Sequence, residues 1–433
     1  MKRSKIKELQ IGREVLVEGY VETIRQLKYM EFIVLRDISG LAQISIEKEK
    51  CPEIMKKIKG LTTGSVISVI GIVEKAERVK PGGFEILPKK IEILSLAELS
   101  PIGKESSQSL RMDYRWIDLR DEKKYLIFKV QTTMERAMQD WFVEHGFIGI
   151  HTPHITPFIT EGEGSEVFKL DYFGQKAYLT QSSQLFKQCA MASGFDRTFE
   201  IGPCFRANKS FTSRHDTEFI QVDAEISYVK SHHDVMDIEE AWVKHFCKAI
   251  EEKHGEEISQ FYGIQFKAPD YDFPRIPLRK ALELIEKEKG YKVPTEGKED
   301  LDPMGEKLIC EIVKEKYGSD FVFITDFPFE SRAFYSMKQD DGELSKSFDL
   351  LYKGLEITSG AQREHRYDVL KEQLEEKGID PESMEYYSQF FKYGCPPHGG
   401  FGFGPTRFLK TLFDLPSVKD VTFLFRGPDR MAP

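Results

Sequence analysis

Between residues 13 and 97 apolar and polar side chains alternate in short runs, EVLVEGYVETI, EFIVLRDI, LAQISIE, SVISVIGIVEKAERV and GFEILPKKIEIL, broken at Gly40, Gly64 and the Gly82-Gly83 pair. A period of two sends successive side chains to opposite faces of a strand, so each run has one face to bury and one to expose. About five strands in so short a stretch, with a helical stretch around Pro52 to Lys59, predict a small closed β-barrel, and a piece of an open β-sandwich fits the same alternation. The segment 98–121 holds no sustained period and carries Ser, Gly and Pro, the composition of a hinge.

The period then changes. In FKVQTTMERAMQDWFVEHGF, Val130, Met134, Met138, Trp141 and Phe142 recur at spacings of three and four, which predicts an amphipathic helix stopping at Gly146. The extended segment IGIHTPHIT follows, and Pro153, lacking an N–H, belongs at a strand end or edge. Beyond it, strands (KAYLTQS, RTFEIGPCF, EFIQVDAEISYV) alternate with helical stretches (QLFKQCAMASG, HHDVMDIEEAWVKHFCKAIEEKHG). The fold class is therefore α+β, with a barrel over 1–97 and one large domain over 122–433, within which the charged, poorly patterned span of about 256–317 reads as a peripheral insertion.

Composition narrows the partners. The chain has 433 residues, 40% hydrophobic and 31% charged, which suits a globular protein of two or three domains and excludes a disordered or fibrous one. Six scattered cysteines form no CxxC pair and no zinc spacing, so reduced thiols and a cytoplasmic location are expected. The basic start MKRSKIKELQ has no apolar core behind it and no run of 18 apolar residues occurs, so neither secretion nor a membrane partner is expected. A formal net charge of −9 confines any nucleic-acid contact to a local basic face.

Three constellations carry chemistry. In FRANKSFTSRHDTEF, residues 205–219, two strands flank a polar loop holding Arg206, Lys209, Arg214 and His215, an arrangement that suits a polyphosphate, although a solvated charged turn has the same composition. In SFDLLYKGLEITSGAQR, residues 347–363, a hairpin turning at Lys353 and Gly354 would bring Asp349 and Glu356 close. Paired carboxylates beside phosphates suit Mg²⁺, and two surface acids would look the same. In PPHGGFGFGPTRF, residues 396–408, glycines permit close backbone approach to a ligand and Arg407 falls near a helix start.

In that order, a helix running to Pro153, FRA…TSRH…EF, and a Gly-rich run ending in Arg resemble the three motifs of class II aminoacyl-tRNA synthetases. The barrel resembles the OB-fold of the subclass for aspartate, asparagine and lysine, and the compact chain is similar to its archaeal and eukaryotic members. The implied fold is an OB-fold followed by a catalytic domain built on an antiparallel sheet flanked by helices. The segment TQSSQLFKQ resembles the aspartate enzymes through Gln184 and Lys187, and a substrate carboxylate wants a fixed cation such as Lys187 with Arg363.

The resemblance implies ATP and L-aspartate as substrates, Mg²⁺ as the metal, tRNA as partner, and a homodimer formed through the helix at 126–146 and the Pro153 strand. It implies catalytic roles for Arg206 and Arg407. Aspartate would meet Glu161, Gln184, Lys187, Arg206, Asp223, Ser359 and Arg363. ATP would meet Arg206, Ala207, Asn208, Arg214, His215, Asp216, Phe219, Glu356, Gly404, Pro405, Thr406 and Arg407, with Phe219 and Arg407 sandwiching adenine. The metal set would be Asp349, Glu356 and Ser359. Phe32, Gln43 and Glu85 would read anticodon bases, although Phe32 in an alternating strand also fits a core position.

Three features depart from the family pattern: Asn208 replaces the acid of FRAE, Thr406 replaces an acid in the third motif, and the TEGEGSE loop is one residue longer. They leave open a paralogue with lost or diverted charging, and an asparagine enzyme is a further alternative. Pro81, where strict archaeal-type enzymes often carry Lys, points to charging of both tRNA-Asp and tRNA-Asn.

Overall fold

A computed structural model describes residues 1–80, 82–159, 166–209, 212–294 and 299–433. The chain divides into two compact units, Met1–Ile117 and Asp118–Pro433.

In the first unit, β1 (Glu14–Gln26), β2 (Met30–Asp37), β3 (Gly40–Glu47), β4 (Val66–Lys75) and β5 (Phe84–Ser95) close into a barrel in the order β1-β2-β3-β5-β4. Closure removes the free edges that an open sandwich piece would leave. The short helix α1 (Pro52–Lys57) lies between β3 and β4. Inward positions of the alternating runs, among them Val17, Ile33, Leu35, Ile44, Ile67, Val69 and Ile86, make one buried core. The stretch predicted as a hinge holds two short helices, α2 (Gln108–Asp113) and α3 (Arg115–Asp118), and the first is capped by Ser107 accepting the Leu110 N–H. Two turns of helix are too short to show a sequence period, which is why the stretch reads as irregular.

The second unit is built on an eight-stranded sheet in the order β12-β13-β14-β15-β16-β11-β10-β6. Its strands are β6 (Ile148–Gly149), β10 (Arg197–Phe205), β11 (Glu218–Ser227), β12 (Arg275–Pro277), β13 (Phe321–Thr325), β14 (Ser347–Tyr352), β15 (Leu355–Arg363) and β16 (His398–Phe403). The six central strands are antiparallel as expected, but the edge strands β6 and β12 pair in parallel, so the sheet is mixed. A separate small sheet joins β7 (Ile155–Thr156), β9 (Gln175–Leu179) and β8 (Lys169–Tyr172), and Pro153 lies between β6 and β7.

Helices α4 (Glu122–Glu144) and α6 (His232–Tyr262) pack together against this sheet. The predicted stripe of α4 is buried in full, and the helix starts at an Asp121 cap and stops before Gly146, whose φ is +77°. On α6, Trp242 lies among Phe142, Phe401 and Phe403 at ring separations of 5.1–5.5 Å. Burying such a side chain contributes on the order of 2–3 kcal/mol.

The span predicted as a peripheral insertion is more ordered than its composition suggests. It contains the end of α6, the edge strand β12, and two amphipathic helices, α7 (Leu278–Lys289) and α8 (Pro303–Tyr317), which bury Leu278, Ala281, Ile285, Ile309, Ile312 and Val313 in a core shared with β13. Helix α5 (Gln184–Ala192) lies before β10; α9 (Tyr367–Glu376) and α10 (Glu385–Lys392) share a further apolar cluster with Leu185 of α5; and α11 (Pro405–Leu412) follows β16 directly.

Candidate active site

Strands β10 and β11 form the predicted hairpin, in register from Arg197↔Ile226 to Phe205↔Glu218. One further rung, Arg206 N–H to Thr217 O at 2.9 Å, carries Arg206 to the loop base, where its guanidinium stands 5.4 Å over the Phe219 ring. The C-terminal segment braces this loop: Thr217 N–H donates to Arg426 O and Val418 N–H to Ser213 O. Asp216 turns toward the same segment, taking the Thr422 hydroxyl at 3.3 Å, and burial pushes its carboxyl up to about 7. His215 goes the other way. Burial, then Arg407, Arg206 and Arg214, push its imidazole down to about 4, so at neutral pH it is an uncharged hydrogen-bonding group and not one of the loop's cations.

The β14–β15 hairpin turns where expected, with Lys353 and Gly354 both at positive φ, +46° and +87°. Gly354 is needed twice over, because a Cβ there would also stand 3.1 Å from Lys307 Cα on α8. Asp349 and Ser359 face each other across the ladder, and Glu356 follows the turn. Asp349 takes a two-pronged bond from Arg332 at 2.9 and 2.6 Å, and the same guanidinium donates to Ser359 at 3.2 Å. Arg407, in the first turn of α11, donates to Glu356 O at 3.0 Å and to its carboxylate at 3.2 Å. The Glu356 side chain is 36% exposed, but into the cavity, and its walls push its carboxyl up to about 7, with Arg407 opposing and Asp349 and Glu306 adding to the push. Glu356 and Ser359 face the cavity and fit Mg²⁺, which takes one or two protein carboxylates and completes its shell with phosphates and water, and Asp349 on the same hairpin would join them by exchanging Arg332 for the ion.

A second cluster lies where α5, β11, β15 and β16 meet. Lys187, 3% exposed, donates to Asp223 at 2.9 Å and Phe401 O at 3.0 Å, with Glu225 at 3.4 Å. Arg363 donates to Glu225 at 3.1 Å and Gly400 O at 2.9 Å, and Gln221 donates to both Asp223 oxygens. The glycines of β16 make room for this cluster. A Cβ at Gly400 would meet Glu225 Oε2 at 2.2 Å, and one at Gly402 would meet Gln221 Nε2 at 2.6 Å. Close approach is needed, as the sequence suggested, but by the floor's own side chains.

Both clusters face one cavity of about 490 Å³, a size suited to a small molecule. Of the residues singled out in the sequence, Gln184, Arg206, Asn208, Arg214, His215, Asp216, Phe219, Asp223, Glu356, Ser359, Arg363, Gly404, Thr406 and Arg407 line it. Lys187, Ala207, Asp349 and Pro405 are not in the lining: Lys187 stands behind Asp223, Asp349 is held by Arg332, and Pro405 is buried at the start of α11. Glu161 and Pro81 lie outside the described residues.

On the barrel, Phe32 sits at a half-buried position of β2 while its neighbours Ile33 and Leu35 fill the core, and Arg25 lies 4.7 Å over its ring. It is therefore on the outer face and not in the core. Gln43 pairs in register with Glu85, and Ser45, opposite Phe32, hydrogen-bonds to Glu85 as well.

Residues 107–426 match the family model "tRNA synthetases class II (D, K and N)", and residues 15–94 match "OB-fold nucleic acid binding domain". The chain is a class II aminoacyl-tRNA synthetase. It is 41% identical over 437 residues to the aspartate–tRNA(Asp) ligase of Pyrococcus abyssi, covering 99% of this chain and 98% of that one. It is 42% identical over 430 residues to the aspartate–tRNA(Asp/Asn) ligase of Methanopyrus kandleri, covering 98% and 96%. Among solved structures, asparaginyl-tRNA synthetase from Pyrococcus horikoshii complexed with asparaginyl-adenylate superposes with a TM-score of 0.92 at 30% identity, over 100% of both chains.

Sequence reading of this synthetase missed Arg332, Tyr335 and Gln221, which line the cavity, and Glu225, which holds Arg363. Gln221 had a signal, since it lies two residues from Asp223 and so on the same face of β11. Arg332 had none: it follows a single 3₁₀ turn, and its partners are 17 and 27 residues away.

Proposed function

We propose that this synthetase is an aspartate–tRNA ligase, which activates L-aspartate with ATP and transfers it to tRNA. The observation that carries the amino-acid choice is the buried cluster of Lys187 and Arg363 against Asp223 and Glu225 at one end of the cavity. Its bonds use two of the five N–H groups of Arg363, which lines the cavity, leaving donors for a side-chain carboxylate. Asp223 and Gln184 suit the ammonium and backbone end of the substrate, with Ser359 nearby and Glu161 in the TEGEGSE loop as a further contact. Asparagine would offer the remaining Arg363 donors a neutral amide oxygen in place of a carboxylate, a weaker partner for a guanidinium.

At the other end Arg206, Arg214, His215 and Arg407 serve the triphosphate, and Phe219 with Arg407 encloses adenine. Ala207, Asn208, Asp216 and Gly404 to Thr406 shape that end. Asp349, Glu356 and Ser359 would hold Mg²⁺, which supplies charge neutralisation for the phosphates when bound. The aspartate α-carboxylate attacks the α-phosphorus in line, pyrophosphate leaves, and Arg206 stabilises the charge that gathers on the phosphorus oxygens. The terminal tRNA hydroxyl then attacks the adenylate carbonyl and AMP leaves. Arginine is suited to this work because its charge persists and its fork matches phosphate oxygens.

Phe32, Gln43 and Glu85 on the outer face of the barrel suit anticodon bases, by stacking and edge hydrogen bonds. A homodimer is supported by exposed Val143, Ile148 and Ile155 at the end of α4 and on the edge strands, and a cytoplasmic setting by six free cysteines. Relatives near 41% identity divide between ligases named for tRNA(Asp) and for tRNA(Asp/Asn); with Pro81 we favour charging of both. Pyrophosphate exchange with aspartate and with asparagine tests the substrate, and exchange with asparagine alone would replace this reading by the asparagine one. Parallel charging of tRNA-Asp and tRNA-Asn transcripts tests the scope, and product on tRNA-Asp alone would refute relaxed choice.

A further inference from the structure

Around the phosphate end, three guanidiniums each meet one carboxylate: Arg407 with Glu356, Arg332 with Asp349, and Arg214 with Glu306. Glu356 and Asp349 belong to the candidate Mg²⁺ set. Glu306, from α8, belongs to no role given so far.

We propose that Glu306 is a positioning residue for Arg214, holding its guanidinium at the cavity wall with the remaining donors available to the outer phosphates of ATP. The inference rests on the reading of the cavity as an ATP-dependent activating site. Three observations carry it. Arg214 lines the cavity and Glu306 does not, so the carboxylate stands behind the arginine and does not compete from the phosphate side. The contact runs through a single nitrogen, Nη1, which donates to both carboxylate oxygens at 2.9 and 2.8 Å. A guanidinium has five N–H groups; this grip occupies one nitrogen and leaves the fork's other edge for an anion.

Glu306 is itself fixed. It accepts the Glu356 backbone N–H at 3.2 Å, and it lies in the first turn of a helix capped by Asp302, whose carboxylate takes the Gly305 N–H at 2.7 Å. The tight approach of Lys307 to Gly354 seats that turn of α8 against the β14–β15 hairpin. Without Glu306, Arg214 would lose its paired carboxylate while the Lys410 ammonium stays close enough to repel it. Carboxylates that orient metal ligands from behind typically matter by about 10–100-fold, and Glu306 stands behind Arg214 in the same manner.

The test uses the full-length protein with Glu306→Ala, Glu306→Gln, Arg214→Ala and the double variant. Glu306→Ala should raise the KM for ATP in aspartate-dependent pyrophosphate exchange by roughly tenfold, the lower end of that range, while the KM for aspartate stays within about twofold. Glu306→Gln, which keeps an acceptor without charge, should fall between. In equilibrium binding, Glu306→Ala should weaken ATP but leave AMP unchanged, and it should add nothing in the Arg214→Ala background. Equal weakening of ATP and AMP, an unchanged KM for ATP, or additive losses in the double variant would overturn the proposal, because a merely structural α8 residue gives those results. If the wild type shows no aspartate-dependent exchange, the functional reading fails, and the ATP-against-AMP comparison still decides the role of Glu306.

Discussion

The outer face of the barrel and the catalytic cavity use polar side chains in opposite ways. On the barrel, Phe32, Gln43, Ser45 and Glu85 come from three neighbouring strands; register brings them together, and hydrogen bonds, not ion pairs, link the three polar ones. The cavity collects groups from α5, β11, β14, β15, β16, α11 and the loop after β10, and its Arg214, Arg332, Arg363 and Arg407 guanidiniums are tied to buried or half-buried acids. A face built by strand alternation can lose one member without disturbing the others. A set of buried ion pairs cannot, since removing one partner strands the other's charge at several kcal/mol. The cavity should therefore fail abruptly and the barrel face gradually.

The largest effect tests that contrast directly. Arg407→Ala removes the guanidinium proposed to enclose adenine and serve the triphosphate, and leaves the Glu356 carboxylate without its cation. We expect pyrophosphate exchange to fall by roughly 10²–10³-fold. A loss under tenfold would mean that the paired arrangement is not what the phosphate end depends on.

A second expectation moves behind the sheet. Glu239 of α6 is fully buried, and burial pushes its carboxyl up to about 8 from the usual 4.5, with the Thr358 hydroxyl opposing and the nearby Asp349 charge adding. Between those values the folded chain keeps a proton that the unfolded chain has released, so stability falls as pH rises across the window and levels off above it. Glu239→Gln is neutral throughout and should lose that slope. It should lie close to the wild type near pH 5 and exceed it near pH 8 by on the order of 3–4 kcal/mol. Melting curves at the two pH values check this, and parallel behaviour would show that the acid is solvated after all.

The same contrast explains what the sequence could and could not tell. The α4 stripe, the barrel strands and both hairpins were legible because each rests on a period or a turn within some twenty residues. The fold of 256–317 was not: the buried stripe of α8, Ile309, Ile312 and Val313, is narrow, and the lysines and glutamates between its members hide it. Glu225 with Arg363 and Arg214 with Glu306 are joined across 138 and 92 residues, distances at which no local pattern exists. The motif residues themselves were legible because family resemblance records such long-range contacts. Arg332 and Glu306 stand outside the motifs and appear only once the chain is folded.

The smallest expected effect concerns the barrel. Phe32 is half-buried on the outer face with Arg25 over its ring, so truncating it removes a stacking surface without opening the core beneath. Base–aromatic stacking contributes about 1–3 kcal/mol per base. Phe32→Ala should therefore raise the KM for tRNA by roughly tenfold, near the lower end of that range, because Gln43 and Glu85 remain in place. Exchange in the absence of tRNA should be unchanged. The pairing of these two measurements matters more than either alone. If exchange fell together with tRNA charging, the face would not be independent of the catalytic unit, and the gradual behaviour expected of it would be lost. If neither changed, Phe32 would be an exposed ring with no base to meet, and Gln43 and Glu85 would have to carry any reading of tRNA by this face.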